Sequence, residues 1–128
     1  MRFFLQEMQV QCSRSIVAEI DRKVAGYILF WLLPDEVDIH NLAVHTAFRR
    51  RGIGRALMQR VVRQAKDRGS VRVTLEVRKS NSGAQRLYES TGFLVTSIRK
   101  GYYSDDGEDA LAMALTLRSK ASKPPQKL

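Results

Sequence analysis

Apolar residues fall along this 128-residue chain in two periods, and the changes of period mark its elements. Phe4, Met8 and Cys12 recur every four positions, which predicts a short helix over residues 3–12. From Ser15 onward, Ile16, Ala18 and Ile20 alternate with polar neighbours, the period of a strand, and Asp21-Arg22 reads as a tight turn after it. Residues 24–33 are almost continuously apolar, a strand covered on both faces, and Pro34-Asp35 breaks it. The next strand is expected over 36–45. There Val37 and Ile39 keep period two, but the following large apolar residues are Leu42 and Val44, so the phase slips by one. A β-bulge near Asn41 absorbs such a slip and frees backbone groups from the ladder.

Residues 52–68 carry the clearest helical period. Ile53, Leu57, Val61 and Ala65 form one row, with Met58 and Val62 beside it, while Arg55, Gln59, Arg60, Arg63 and Lys66 cover the other face. Gly69 suits the position just past the helix end. Residues 72–78 alternate cleanly, with Val73, Leu75 and Val77 on one face and Thr74, Glu76 and the arginines on the other. Asn81 is a good cap for a helix running to Thr91 and closed by Gly92. Two antiparallel strands are expected over 93–100 and 108–117, joined by a loop over 101–107. The order is a helix, three strands, a helix, a strand, a helix and two strands. It predicts an α/β (α+β) domain with a mixed central sheet, antiparallel at both ends and flanked by helices.

Composition narrows the class without naming it. An apolar share of 44% and a charged share of 27% exclude a disordered chain, a collagen and a coiled coil. The single Cys12 excludes an intramolecular disulfide and a cysteine-built zinc site, and fits a reducing, cytoplasmic compartment. No apolar run approaches the ~18 residues of a membrane span, and the N-terminal run ends at Gln6-Glu7, unlike a signal peptide.

The net charge of +9 favours polyanions: nucleic acid, a phosphorylated cofactor or a ribonucleoprotein. The charges are sorted along the chain. Residues 49–72 hold nine bases and one acid, Asp67; residues 105–109 hold four acids. Residues 118–128 carry four bases, no acid and Pro124-Pro125. They are expected to form a disordered basic tail, behind a domain at 1–117, that guides the protein weakly to a polyanion or serves only solubility.

The run Arg49-Arg50-Arg51-Gly52-Ile53-Gly54-Arg55 leads from a strand into the 52–68 helix. A helix start presents free N–H donors and partial positive charge. Two glycines permit close approach, and arginines add charge and bidentate geometry. This is a candidate pyrophosphate cradle. It lacks the Lys-Ser/Thr of a Walker loop and the third glycine of the dinucleotide pattern. The alternative is a basic helix start whose glycines serve packing. His40 and His45 flank the bulge with no third ligand nearby, so they read as strand and turn histidines and no metal is expected.

Taken in order, strand, Arg-x-x-Gly-x-Gly, helix, Leu75-Glu76-Val77-Arg78, Asn81, Leu87-Tyr88-Glu89-Ser90-Thr91-Gly92-Phe93, Tyr102-Tyr103 and Glu108-Asp109-Ala110 resemble the GCN5-related N-acetyltransferases (GNAT). The likeness runs from about Ile16 to Leu117. It is greatest to the protein N-terminal acetyltransferase branch, among them enzymes that acetylate the terminal alanine of a ribosomal protein. It implies acetyl-CoA as co-substrate and a protein N-terminus, such as a ribosomal protein's, as acceptor.

The resemblance also implies roles. Arg49 to Arg55, through Arg50, Arg51, Gly52, Ile53 and Gly54, would cradle the pyrophosphate. Leu42, Ala43 and Val44 would offer backbone groups to the acetyl carbonyl and pantetheine arm, and Asn81 would bond that arm while capping its helix. Glu76 would be the general base and Tyr88 the general acid, with Tyr102, Tyr103 and Asp109 contacting the acceptor. On residues alone, Glu76 is equally a surface carboxylate paired with Arg78 or Arg72, Tyr88 a half-buried core tyrosine, Asn81 a cap only, and the acidic loop a solvated hairpin tip.

The family's first strand and first helix are expected to be missing here, leaving a sheet edge that invites pairing into a homodimer. A small-molecule amine acetyltransferase, and a non-catalytic basic nucleic-acid- or ribosome-binding module of the same fold, are the competing readings.

Overall fold

The structure, a computed structural model, describes residues 1–7 and 12–118. Its seven-stranded sheet runs β1-β2-β3-β4-β5-β7-β6. The strands are β1 (Arg2–Glu7), β2 (Ser13–Ile20), β3 (Lys23–Leu32), β4 (Glu36–Val44), β5 (Arg72–Arg78), β6 (Leu94–Arg99) and β7 (Ala110–Thr116). Helix α1 (Ile53–Asp67) joins β4 to β5, and α2 (Ser82–Ser90) follows β5. Only β4 and β5 pair in parallel; every other neighbouring pair is antiparallel. The mixed sheet, antiparallel at both ends, is the one the pattern predicts.

The first element differs. A helix is expected over 3–12, but Arg2–Glu7 is a strand with six register pairs to β2. A helix of so few residues is marginal in water, whereas a strand satisfies its backbone on the waiting edge of β2. Phe3 packs against the core, and the Arg60 guanidinium of α1 lies 4.2 Å from its ring centroid. The edge expected to stand open at β2 is therefore filled by β1. Met8, central to the helical reading, lies outside the described residues. So do residues 119–128 of the expected tail; Arg118 is held to the body, its Nε donating to the Gly69 carbonyl at 2.9 Å.

The Asp21-Arg22 turn is as expected. Both residues take positive φ (51° and 65°), the two-residue geometry that matches the twist of antiparallel strands. Helix α1 buries Ile53, Leu57, Met58, Val61 and Ala65, the row read from the sequence. They pack with Ile28, Phe30, Val37, Ile39, Val73 and Leu75 in one core that also takes in Tyr88 and Phe93.

The bulge falls at His40. Leu29 pairs with Asn41 and Phe30 with Ile39, leaving His40 as the extra residue. Pairing between β4 and β5 runs from Glu36↔Arg72 to Ile39↔Leu75 and stops there. Beyond it the strands diverge, β4 staying on β3 and β5 on β7.

Gly26 lets β3 follow β4 through this bend. A Cβ at Gly26 would lie 2.7 Å from the Ala43 carbonyl oxygen and 3.3 Å from the Val44 Cα. Both obstacles are backbone. Gly26→Ala is therefore expected to lower stability by about 1–3 kcal/mol, read from the midpoint of urea unfolding at unchanged slope.

Candidate active site

Where β4 and β5 part, a cleft of about 790 Å³ opens between the end of β4, the start of α1 and the first turns of α2. Its walls include Leu42, Ala43, Val44, Arg49, Arg50, Gly52, Ile53, Gly54, Arg55, Asn81 and Tyr88. The sequence-predicted cofactor residues thus converge here, except Arg51, whose guanidinium instead lies 5.4 Å from the Phe48 ring.

The start of α1 suits an anion. Gly52, its N-cap, has no side chain to cap the first N–H groups, and the first turn carries no acid. The two glycines serve different ends. Gly52 sits at φ 74°, where a Cβ would meet open space, so its need is conformational. A Cβ on Gly54 would meet Leu87 Cδ2 at 3.2 Å, so this glycine lets α2 close on α1. Gly54 also lines the larger cleft, so this packing contact stands beside the clear path expected from spacing. Asn81 caps α2, its side chain accepting from the Ala84 N–H at 3.1 Å.

A second, smaller cleft of about 300 Å³ lies over the same gap, lined by His40, Asn41, Leu75, Glu76, Arg78 and Tyr103 among others. It shares Leu42, Asn81 and Tyr88 with the first. Tyr88 is thus common to both clefts while Glu76 belongs to the smaller one. Burial raises the Tyr88 phenol above its ordinary value, with Tyr103 adding to the shift, so it is a protonated donor at neutral pH. Tyr88 is 9% exposed and part of the core, and it also lines both clefts.

Glu76 is ion-paired, but with neither arginine weighed from the sequence. Arg72 is taken by Glu36. Arg78 is taken by Asp105, Asp106 and Glu108 at 2.8, 3.0 and 3.3 Å and stacks 4.0 Å from the Tyr103 ring centroid. The partner of Glu76 is Arg99, at 3.1 Å. Glu76 faces Ala112 on β7, and Arg99 is paired with Ala110 on that strand, so short side chains let the arginine reach across. The Tyr102 hydroxyl also bonds Glu76, and this raises the Tyr102 pKa. Arg99 escaped the sequence reading because its partner is 23 positions away and only the register across β7 joins them.

The acidic loop is therefore tied down. Glu108 also accepts from the Ser80 N–H at 2.7 Å, and Asp109 from the Gly101 N–H at 2.9 Å. Tyr103 lines the smaller cleft and Tyr102 meets Glu76, but Asp109 lines neither cleft; it holds the hairpin. His45 accepts from the Ala47 N–H at 3.1 Å, a turn role, and His40 pairs with Asp38 at 3.0 Å and stacks on Trp31 at 4.4 Å. Among the described residues no helix is long and apolar enough to cross a membrane, and no group of three or more His, Cys, Asp or Glu could hold a metal ion.

Comparison with known proteins gives this geometry a context. Residues 2–93 match the model of the acetyltransferase (GNAT) family. A ribosomal protein bS18-alanine N-acetyltransferase of Salmonella typhimurium is 40% identical over 99 residues, covering 76% of this chain and 67% of that enzyme. The crystal structure of the ribosomal-protein-S18-alanine N-acetyltransferase from Escherichia coli superposes with a TM-score of 0.81 at 33% identity, over 92% of this chain and 77% of that one. An IAA acetyltransferase from Bacillus cereus superposes at 0.78 with 26% identity, over 84% and 80%.

The loop that carries Tyr102 and Tyr103 depends on ionised carboxylates. The Glu108 N–H holds the Asp106 pKa below its ordinary value, and bonds to Ser80 do the same for Glu108, with Arg78 assisting both. A lowered folded pKa contributes stability above the ordinary carboxylate range, and that stability is lost as pH falls through the lowered value. Amide protection over 101–109, taken relative to the intrinsic exchange rate at each pH, is expected to fall on acidification below about pH 4, and in Arg78→Gln to be low already at neutral pH.

Proposed function

The chain belongs to the acetyltransferase (GNAT) family, whose members are N-acetyltransferases using acetyl-CoA, and from that premise we propose that it acetylates the α-amine at a protein N-terminus, in the manner of the ribosomal-protein alanine enzymes. Family membership sets aside the non-catalytic basic module. The observation that carries the reading is the meeting of the two clefts at Tyr88, with Glu76 on the side away from the basic helix start.

The larger cleft fits acetyl-CoA in its chemistry. Arg49, Arg50, Arg55 and the uncapped start of α1 suit the pyrophosphate, and the side of β4 that β5 leaves at Leu42 to Val44 suits the pantetheine amides and the acetyl carbonyl. An N–H placed on that carbonyl stabilises the oxyanion of the tetrahedral intermediate. Asn81 adds a side chain at the same wall.

The acceptor amine, of ordinary pKa about 8, must lose a proton before it attacks. Glu76 takes that proton, directly or through water. The nitrogen lone pair forms the new C–N bond, the attacking nitrogen gives up its second proton to solvent, the C–S bond breaks as the tetrahedral intermediate collapses, and Tyr88 gives its proton to the departing sulfur. Proton return from Glu76 and to Tyr88 through solvent resets both groups. The raised phenol pKa keeps Tyr88 protonated through neutral pH. A small-molecule amine is the second reading; it keeps the same cofactor cleft and changes only the acceptor.

Glu76→Gln is expected to lower kcat by roughly 10²-fold or more while leaving the coenzyme-A Kd nearly unchanged by calorimetry. Tyr88→Phe is expected to lower kcat as well, least with a thioester of more acidic leaving thiol. If both variants keep the wild-type rate under chemistry-limited conditions, the assignment fails.

Gly54→Val drives a side chain into Leu87, so coenzyme-A binding is expected to weaken severely in the folded variant. Unchanged affinity refutes the cradle. Labelled acetyl-CoA offered with alanine-first ribosomal peptides and with small amines decides the acceptor, and label on the amines alone overturns the proposal.

A further inference from the structure

We propose that Arg99 is a specificity-determining residue of the smaller cleft: it holds the place on Glu76 that the acceptor's ammonium takes, so an acceptor enters by exchanging one cation for another. The inference rests on the reading of Glu76 as the group that meets the acceptor amine.

Three observations separate Arg99 from the other arginines on this face. First, its bond to Glu76 is a single contact, Nη1 to Oε1 at 3.1 Å, whereas Arg78 is gripped by three carboxylates and an aromatic ring. Second, the pair is unequal in exposure. The Arg99 side chain is 56% exposed and that of Glu76 is 25%. The arginine can swing to solvent while the carboxylate stays in the cleft wall. Third, a second resting place is at hand. The Arg99 guanidinium lies 5.6 Å from the Tyr102 ring centroid, within the range of a cation–π contact. A displaced Arg99 keeps that partner.

The exchange selects acceptors by charge. A primary ammonium brings a compact cation with three donors to Glu76, matching the charge of the group it displaces. A neutral ligand offers no such replacement and would leave the carboxylate less well compensated. Glu76 can then accept a proton from the ammonium it has bound, which the guanidinium cannot provide, because arginine does not deprotonate in proteins. The resting pair therefore keeps Glu76 occupied without allowing it to react.

The test compares wild type, Arg99→Gln and Arg99→Lys in steady-state kinetics. The acceptor is an alanine-first peptide, or a small primary amine if the wild type acetylates only that. Removing the competing cation is expected to lower the acceptor KM by about two- to fivefold, the size of effect an exposed ion pair supports. The KM for acetyl-CoA and kcat are expected to stay within about twofold, since in the productive complex the ammonium has already displaced Arg99 from Glu76. Arg99→Lys, which keeps a competing cation, is expected to behave as wild type. Circular dichroism melts check that each variant is folded.

A raised or unchanged acceptor KM in folded Arg99→Gln overturns the exchange. So does a tenfold loss of kcat at constant KM, which would mark an arginine that orients Glu76 for reaction. Because the comparison uses whichever acceptor the wild type turns over, it separates the two ideas. Loss of the peptide as acceptor removes the protein N-terminus reading and leaves the exchange to be judged on the amine.

Discussion

A parallel strand pair that stops short governs this molecule. β4 and β5 share four register pairs, ending at Ile39↔Leu75, and the bulged His40 turns β4 away immediately afterwards. A sheet that continued would leave no room between these strands. Because it divides, both clefts open over one gap, and Leu42, Asn81 and Tyr88 border each of them. The divergence is supported from both sides. Gly26 lets β3 stay with the bent end of β4, and Gly54 lets α2 close against α1 at the mouth.

Charge is divided along the same gap. Bases gather at the start of α1, where the helix dipole and uncapped N–H groups add to them. Acids gather in the hairpin loop beyond β6, and these are spent on Arg78 and on backbone N–H groups of neighbouring turns. The loop is thus less a free negative surface than a strapped wall that fixes Tyr102 and Tyr103. Glu76 is the carboxylate that lines the smaller cleft, and its cation is a single, largely exposed side chain. That asymmetry gives one acidic group a chemistry that the others, bound by several contacts, do not share.

Local periodicity was enough for most of the fold. The α1 row of Ile53, Leu57, Val61 and Ala65, the Asn81 cap, the Asp21-Arg22 turn and the phase slip in β4 are all fixed by neighbours a few residues apart, and each stands where expected. That Arg49, Arg50, Gly52, Ile53 and Gly54 border one cleft with Tyr88, and Glu76 a cleft beside it, is what the ordered motifs implied through their resemblance to the family.

What the chain could not announce by itself were relations set by strand register and by empty edges. Residues 2–7 follow the vacant edge of β2 over their own weak helical period, because ladder hydrogen bonds outweigh a helix too short to hold itself. Glu76 takes Arg99 over the nearer Arg72 and Arg78, because β7 enters between β5 and β6 and presents alanines for the arginine to cross. Gly54 has a packing contact besides its place on the cleft wall, because its Cβ direction points at Leu87, a residue 33 positions on. The sequence by itself determined the elements and the types of chemistry at their ends, since both follow from short-range spacing. Only the tertiary structure decided which charge meets which, since that depends on distances between strands that no period along the chain encodes.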